Sequence, residues 1–356
     1  MRRIYFIICT CAVTLLLCPL GIKAQRPKVA LVLGGGGAKG AAEVGVLKVM
    51  QKLNMPIDMV VGTSIGSIVG GLYCSGVDVP TLDRLFRSQE WLDLFTDRRS
   101  SLRGEPYRVQ DGVEYVFGFP IRRKPALPPT GPAKPGKPDA AVPPQRGSSG
   151  IPLGLLKGDS ITGLLARISG FTEPLDFDNL PTPFRCVAVD IKTMKEVIFA
   201  KGSLPLAMRA SMSIPAIFRP LKMGDRLLVD GGVLNNLPVD VARRMGADII
   251  IAVDLNQDAE LQQEPKRKWW EEMLGAIDLG EHVNWLVRRP DNERYRQNLR
   301  MANLVITPDI HEFDVASFNA RAVNVMIERG EQAAIQKAKE LMQIKLKTTI
   351  LCYKTN

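Results

Sequence analysis

The sequence contains few of the residues on which metal sites, disulfide frameworks and histidine-dependent catalysis rely. Its 356 residues include two histidines, His282 and His311, and six cysteines, three of which lie in the first 18 positions. Neither residue type recurs at the spacing of a metal site, and the three remaining cysteines are too scattered for a disulfide framework. The sequence therefore predicts no metal site and offers only two positions for a histidine base.

The N-terminal apolar run is too short for a membrane span. Residues 4–17 fall below the roughly 20 apolar residues that a spanning helix needs. The run follows Met1-Arg2-Arg3 and precedes a more polar segment, an order typical of a secretory signal cleaved after Ala24. We therefore expect residues 1–24 to be a signal peptide and the protein to be exported, whether periplasmic, envelope-associated or secreted. An uncleaved anchor is the alternative, because Ile22 is not the small residue that cleavage sites prefer.

A nucleic-acid-binding motif is also missing, although the chain is basic. The formal net charge is +10, and removal of residues 1–24 would leave 44 basic and 37 acidic residues, a moderate net charge of +7 that is compatible with an anionic membrane surface. Residues 266–270 join basic residues to two tryptophans, as an interfacial membrane contact would, but a helix start with partly buried indoles explains them as well. We therefore expect a lipid surface as partner and no nucleic acid. The oligomeric state is left open.

The domain organisation follows from one change in composition. Proline occurs eight times between Pro125 and Pro144, so residues 122–150 are predicted to be a disordered insertion that packs no core. Strands alternate with helices on either side of it, which predicts an α/β fold with a mostly parallel sheet. We expect one domain at residues 25–342, containing this insertion, and a tail at residues 343–356. The main strands are expected near residues 28–33, 59–61, 184–189, 226–229, 248–253 and 304–307, and a long last helix at 317–341.

A glycine-rich loop joins the first predicted strand to a helix. Gly35, Gly37 and Gly40 satisfy the dinucleotide-binding pattern G-x-G-x-x-G, with Asp58 as the candidate ribose ligand. However, Asp58 lies before the next predicted strand instead of at its end. The same loop could instead direct consecutive backbone N–H groups at a developing oxyanion, because glycine lets the backbone curl that closely.

The pattern Gly62-Thr63-Ser64-Ile65-Gly66 lies where an apolar strand turns into a helix. Side chains at the two glycines would collide where the backbone folds back, and the serine is left at the helix N-terminus. A strand-turn-helix of this type carries the nucleophile of many serine hydrolases. Ser64 is therefore the candidate nucleophile.

A serine nucleophile needs a base, and two candidates are present. Asp230 ends a short predicted strand and is followed by Gly231 and Gly232, so its carboxylate could reach Ser64 directly. The usual order Ser, Asp, His is also possible through His311. A Ser-Asp dyad is the preferred interpretation and a Ser-Asp-His triad is the alternative.

Three motifs together, Gly35–Gly40, Gly62–Gly66 and Asp230–Gly232, resemble those of the patatin-like phospholipases in kind, order and spacing. The segments Arg209–Pro215 and Asn235–Pro238 are also similar to segments of that family. The Pro-rich insertion is not a feature of the family.

The resemblance implies a three-layer α/β fold with helices on both faces of the sheet. It also implies hydrolysis of phospholipid or other acyl-ester lipids, of the phospholipase A or lysophospholipase type, with no metal and no cofactor. Ser64 would be the nucleophile and Asp230 the base. The remaining motif residues comprise the candidate oxyanion-hole positions Gly35, Gly36, Gly37, Ala38 and Ile65, and the positions Lys39, Gly40, Gly62, Gly66, Gly231 and Gly232. A catalytically idle lipid-binding protein on the same fold is the alternative function.

Overall fold

The computed structural model describes residues 26–88, 91, 109–110, 113–116, 119–120, 156–215, 217–256 and 292–353. The predicted signal peptide (residues 1–24), the Pro-rich insertion (122–150), the basic and aromatic stretch (266–270) and His282 lie outside the described residues.

The centre of the fold is an eight-stranded sheet. Its middle strands are buried along their whole length, as expected for strands that are covered on both faces. The strands, in chain order, are β1 (Val29–Leu33), β2 (Met59–Thr63), β3 (Val109–Gln110), β4 (Val113–Val116), β5 (Phe119–Pro120), β6 (Leu175–Asp176), β7 (Phe184–Asp190), β8 (Lys195–Phe199), β9 (Lys201–Gly202), β10 (Leu221–Met223), β11 (Arg226–Asp230), β12 (Ile249–Val253) and β13 (Leu304–Ile306).

The order of strands in the main sheet is β10-β11-β7-β2-β1-β12-β13, with β8 also paired to β7. The pairs from β7 through β13 are parallel, and β8, β10 and β11 are antiparallel to their neighbours. The predicted mostly parallel sheet is confirmed. Thr63 pairs with Val187 on β7, and Asp230 pairs with the next residue, Ala188. The ends of β2 and β11 therefore lie on either side of the same part of β7.

Helices cover both faces of the sheet. They are α1 (Ala41–Lys52), α2 (Ile65–Cys74), α3 (Val79–Arg87), α4 (Asp159–Ser169), α5 (Leu204–Ser211), α6 (Val239–Arg244), α7 (Asn292–Met301), α8 (Ala320–Gln336) and α9 (Ala338–Tyr353). The larger apolar core contains Leu31 and Leu33 of β1 and lies under α1 to α5, α8 and α9. The smaller core contains Ala30 and Val32 and lies under α6 and α7. Alternate residues of one strand thus enter two cores, which gives the predicted three layers.

The C-terminal part of the chain differs from the sequence-based prediction. The expected single helix at residues 317–341 is two helices, α8 and α9, which meet at Lys337. Helix α9 continues to Tyr353, through most of the segment that we expected to be a tail. Its residue Ile344 lies in the larger core, and the Lys345 ammonium donates to the Leu53 carbonyl at 2.8 Å. Within the described ranges, no helix is both long enough and apolar enough to cross a membrane.

Candidate functional site

Ser64 lies on a sharp turn between β2 and α2, as the sequence predicts. Its backbone angles are φ 55° and ψ −125°, a conformation that residues other than glycine rarely adopt. The flanking glycines are required by close contacts. A Cβ at Gly62 would collide with the Gly66 carbonyl, and a Cβ at Gly66 would lie 2.5 Å from the Leu33 carbonyl oxygen. The turn therefore closes only with glycine at both positions.

Hydrogen bonds hold the backbone of Ser64 on both sides. Its N–H donates to the Ser211 hydroxyl at 2.9 Å, and that hydroxyl donates to the Val187 carbonyl at 2.6 Å. The Ser64 carbonyl accepts from the Ser67 N–H at 2.9 Å and from the Ser67 hydroxyl at 2.6 Å. Thr63 is also tied, because its hydroxyl donates to the Asn235 carbonyl at 2.9 Å. The strained conformation is thus fixed by its neighbours.

Asp230 ends β11, and its carboxylate is buried beside Ser64. Oδ1 accepts from the Gly232 N–H at 2.7 Å, and the Asp230 N–H donates to the Ser213 carbonyl at 2.9 Å. Oδ2 is buried and, within the described residues, makes no hydrogen bond of normal geometry. The Ser64 hydroxyl nevertheless interacts with the carboxylate strongly enough to lower its pKa. The two groups are therefore adjacent.

Burial gives Asp230 an unusual pKa. Desolvation of the carboxylate raises the pKa from 3.8 to about 6, and the Ser64 hydroxyl and the Gly232 N–H limit the rise. A carboxylate with this pKa is still ionised at neutral pH but binds a proton far more readily than an ordinary aspartate. These are the properties that a general base needs.

The glycine loop lies directly next to Ser64. A Cβ at Gly35 would be 3.0 Å from the Ser64 Cβ, and a Cβ at Gly40 would collide with Ile65. Gly37 has φ 58° and packs against the Val315 backbone, so a side chain there would be strained and would clash. Lys39 is buried within the 3-10 turn that this loop forms.

The five candidate oxyanion-hole positions are not equivalent. The Gly35 N–H donates to the Asn236 carbonyl at 3.1 Å, and the Ala38 N–H donates to the Val315 carbonyl at 3.0 Å. Both groups are thus already used. Within the part of the chain that the structure describes, the N–H groups of Gly36, Gly37 and Ile65 donate to no backbone carbonyl. These three are the candidates for binding an oxyanion.

Sequence reasoning did not assign a role to Asn235 or Asn236, which connect the motifs. The Asn236 amide donates to the Gly35 carbonyl at 3.0 Å, and its Oδ1 occupies the space where Gly35 and Gly232 lack side chains. The buried Asn235 amide donates to Glu196 and Asp240, at 2.8 and 2.9 Å. The sequence did contain an indication of both residues, because the segment Asn235–Pro238 is similar to a segment of the patatin-like phospholipases.

The structure does not bring two of the alternative site residues to Ser64. His311 has a 69% exposed side chain, and its Nδ1 pairs with Asp309 at 2.7 Å. Asp58 accepts from the Val29 N–H at the start of β1, whereas the glycine loop follows the end of that strand. Asp58 therefore lies at the N-terminal end of β1, whereas the glycine loop lies at the C-terminal end of that strand. At this distance Asp58 cannot serve as the ribose ligand of a dinucleotide site.

Known proteins resemble about two thirds of the chain in sequence. An uncharacterized NTE family protein of Mycobacterium tuberculosis is 31% identical over 233 residues, which cover 65% of this chain and 50% of that protein. Patatin-like phospholipase domain-containing protein 6 of Homo sapiens is 29% identical over 234 residues, which cover 65% of this chain and 14% of that protein. The chain thus spans half or less of the length of these relatives. Among solved structures, VipD from Legionella pneumophila aligns with a TM-score of 0.44 and 14% identity, over 88% of this chain and 66% of the VipD chain.

The family match itself covers the whole site. The patatin-like phospholipase family matches residues 31–243, more than half of the chain. That range contains the glycine loop, Ser64, Ser211, Asp230 and Asn236. The chain belongs to the patatin-like phospholipase family.

Proposed function

We propose that the protein is a serine hydrolase that cleaves carboxylic esters of membrane lipids, of the phospholipase A or lysophospholipase type. The observation that carries the proposal is the buried Asp230 carboxylate beside the Ser64 hydroxyl, with its pKa raised to about 6. A serine hydroxyl is a weak nucleophile until a positioned base accepts its proton. The buried Asp230 carboxylate supports its role as that base, and His311, the histidine within the described residues, is exposed and paired with Asp309.

The proposed reaction has two steps through an acyl-enzyme. Ser64 Oγ attacks the ester carbonyl while its proton passes to Asp230, and the tetrahedral intermediate collapses as the lipid alcohol leaves with that proton. Asp230 then accepts a proton from a water molecule, whose oxygen attacks the acyl-enzyme. The fatty acid leaves and Ser64 regains its proton. Asp230 thus acts alternately as base and acid.

The oxyanion is proposed to lie against the N–H groups of Gly36, Gly37 and Ile65. Ile65 is the first residue of α2, so its N–H also contributes the positive end of that helix dipole. Donors directed at a developing negative charge typically contribute about 3 kcal/mol each to the transition state. The absence of side chains at the four consecutive glycines 34–37 leaves room for the substrate carbonyl to approach them.

A lipid substrate is proposed from the family and from the charge of the chain. Membership of the patatin-like phospholipases supports a lipid ester, and the net charge of +7 that remains without residues 1–24 favours approach to an anionic membrane surface. Export is part of the same proposal, because residues 1–24 have the pattern of a secretory signal. An exported lipid hydrolase would meet its substrate in an envelope or a foreign membrane.

The test uses the purified chain without residues 1–24, together with Ser64→Ala. Hydrolysis of a short p-nitrophenyl acyl ester and of phosphatidylcholine and phosphatidylglycerol vesicles is measured for both. Release of fatty acid from vesicles by the wild type alone would support the proposal. Cleavage of the small ester without vesicle hydrolysis would remove the phospholipid assignment, and a folded wild type that cleaves neither would favour the idle lipid-binding protein.

A further inference from the structure

The Ser211 hydroxyl bridges two backbone groups, one directly after β2 and one on β7, that would otherwise pair with each other in the main sheet. On the pair β2 and β7, the Val60 N–H donates to the Pro183 carbonyl at 2.9 Å. Continuing this parallel ladder in steps of two residues would pair the Ser64 N–H with the Val187 carbonyl. Instead, Ser211 Oγ accepts from the first group at 2.9 Å and donates to the second at 2.6 Å. One hydroxyl from α5 is thus inserted into the ladder at the nucleophile.

The same end of α5 also holds the base. The chain leaves the helix through Met212, and the Ser213 carbonyl accepts the Asp230 N–H at 2.9 Å. Ser213 is itself fixed, because its hydroxyl accepts from the Arg209 guanidinium at 2.5 Å and donates to the Arg209 carbonyl at 2.8 Å. Arg209 is almost fully buried and stacks over the Phe218 ring at 4.6 Å. The segment is therefore rigidly placed.

We propose that residues Ser211–Ser213 are a positioning element that fixes the nucleophile and the base relative to each other. Ser211 sets the backbone of Ser64 through a side-chain hydrogen bond, and Ser213 sets the backbone of Asp230 through a main-chain hydrogen bond. Two residues of one segment thus hold both catalytic residues. This inference rests on the proposed function for its catalytic meaning, whereas its structural part is independent of any activity.

The strain at Ser64 explains why such an element is needed. A non-glycine residue at φ 55° and ψ −125° relaxes unless its surroundings over-determine it. The inserted hydroxyl keeps the Ser64 N–H out of direct pairing with β7, so the chain turns away from the sheet at this residue. Without it, a buried N–H and a buried carbonyl would lose their partner, or Ser64 would pair directly with Val187 and its hydroxyl would change position relative to Asp230.

The experiment compares Ser211→Ala with a matched control, Ser169→Ala. Ser169 is also a buried serine at a helix end whose hydroxyl accepts a backbone N–H, from Phe171 at 3.3 Å, and donates to a carbonyl, of Ala166 at 3.4 Å. It lies at the end of α4, and its hydroxyl bonds neither Ser64 nor Asp230. Both substitutions remove one buried hydroxyl, but only Ser211→Ala changes the contact with the nucleophile.

The readouts separate positioning from general destabilisation. In Ser211→Ala we expect the second-order rate constant for labelling of Ser64 by a fluorophosphonate, and kcat on a p-nitrophenyl ester, to fall about 10- to 100-fold with KM within threefold. Ser211→Thr, which keeps the hydroxyl, should recover most of the loss, and Ser169→Ala should stay within twofold of the wild type. The acidic limb of the pH profile should move to higher pH in Ser211→Ala, because the Ser64 hydroxyl that lowers the Asp230 pKa is displaced.

Amide hydrogen exchange provides a measurement that needs no activity. Exchange of the peptide containing Ser64 should be faster in Ser211→Ala than in Ser169→Ala, whether or not any ester is cleaved. If Ser211→Ala does not fold, Ser211→Cys replaces it, because a thiol is a weaker donor and acceptor of similar shape. Wild-type labelling rate, kcat and exchange in folded Ser211→Ala or, where that variant does not fold, in Ser211→Cys would overturn the inference. An inactive, unlabelled wild type would remove the proposed function, and the exchange comparison would then decide on the positioning element alone.

Discussion

Ser64 has a strained backbone, and the strain follows from the turn that this residue makes. The turn must leave β2 abruptly so that the hydroxyl faces Asp230 and the Ile65 N–H begins α2. A left-handed residue of this kind typically costs on the order of 1–3 kcal/mol. Glycine would avoid the cost but would remove the nucleophile. Under the proposed function, the fold therefore keeps at this position a residue that the chemistry needs and that is conformationally unfavourable.

This strain predicts an inverted order of stability for two inactive variants. Glycine usually destabilises a folded protein relative to alanine, but at φ 55° alanine retains the strain and glycine does not. We expect Ser64→Gly to be more stable than Ser64→Ala by about 1 kcal/mol in urea denaturation. Neither variant should hydrolyse an ester. A Ser64→Ala protein at least as stable as Ser64→Gly would show that the turn is not strained.

We expect the substitution Asp230→Asn to raise the stability of the protein and to lower its activity. Its pKa is raised from 3.8 to about 6, so ionisation in the folded state costs stability as pH rises through this window and the loss is complete above it. Asparagine keeps the acceptor for the Gly232 N–H but carries no charge. At pH 8 we expect the free energy of unfolding of Asp230→Asn to exceed that of the wild type by roughly 1–3 kcal/mol. Its kcat should fall by roughly 10²- to 10⁴-fold.

The matching pH profile of the wild type has a defined direction. The base must be ionised, so kcat/KM should rise with pH through about 6. Urea denaturation at pH 4 and pH 8 measures the difference in free energy of unfolding between Asp230→Asn and the wild type. This difference should be smaller at pH 4 than at pH 8. An Asp230→Asn protein that keeps its activity, or that is less stable than the wild type at pH 8, would contradict the role of Asp230.

The sequence singled out Ser64 and Asp230, which the structure brings together, but not the groups that position them. The proposed nucleophile and base lie in short local patterns, where glycine spacing reflects how closely the backbone must approach itself. Ser211, Asn236 and Val315 act through hydrogen bonds to distant parts of the chain, and no local pattern specifies such pairs. For the same reason, the sequence could not show that the Gly35 and Ala38 N–H groups already have acceptors.

Strands were easier to predict than their direction or the ends of helices. Buried strands such as β1 and β12 are short apolar runs, and both were found close to their expected positions. Strand β11 runs antiparallel to both of its neighbours, β10 and β7, and no apolar pattern reveals that direction. The break between α8 and α9 at Lys337 has neither glycine nor proline to mark it. Polar surface residues of α9 likewise concealed its buried face.

Helix α9 predicts a contrast between two of its aliphatic side chains. Ile344 is 7% exposed and packs in the larger core, whereas Leu346 is 52% exposed. We expect Ile344→Ala to lower the free energy of unfolding by about 2–4 kcal/mol, through lost apolar contacts and the remaining cavity. Leu346→Ala should change it by less than about 0.5 kcal/mol. Equal effects in urea denaturation would mean that α9 does not dock through this face.

At the scale of the whole molecule, the described residues include two buried carboxyl groups, Asp230 and Glu43, whose raised pKa values mean that their ionisation opposes folding. In Asp230, the raised pKa is part of the proposed role as a base. Glu43, on α1, is fully buried, and within the described residues neither of its side-chain oxygens has a hydrogen-bond partner of normal geometry. Burial raises the pKa of Glu43 well above its usual value of 4.5, and the Gly34 N–H partly offsets the rise. The stability of the whole fold should therefore depend on pH through a residue outside the proposed chemistry.

Glu43→Gln tests this dependence. Because the folded-state pKa is raised, the contribution of Glu43 is fully present below the unfolded-state pKa and is lost as pH rises toward the folded-state value. Glutamine has a similar shape but does not ionise, so the free energy of unfolding of Glu43→Gln should exceed that of the wild type increasingly from pH 4.5 to pH 8. The exposed Glu328 on α8 provides the control, and Glu328→Gln should stay within about 0.5 kcal/mol at each pH. Parallel stability curves for Glu43→Gln and the wild type would show that Glu43 does not resist ionisation in the fold.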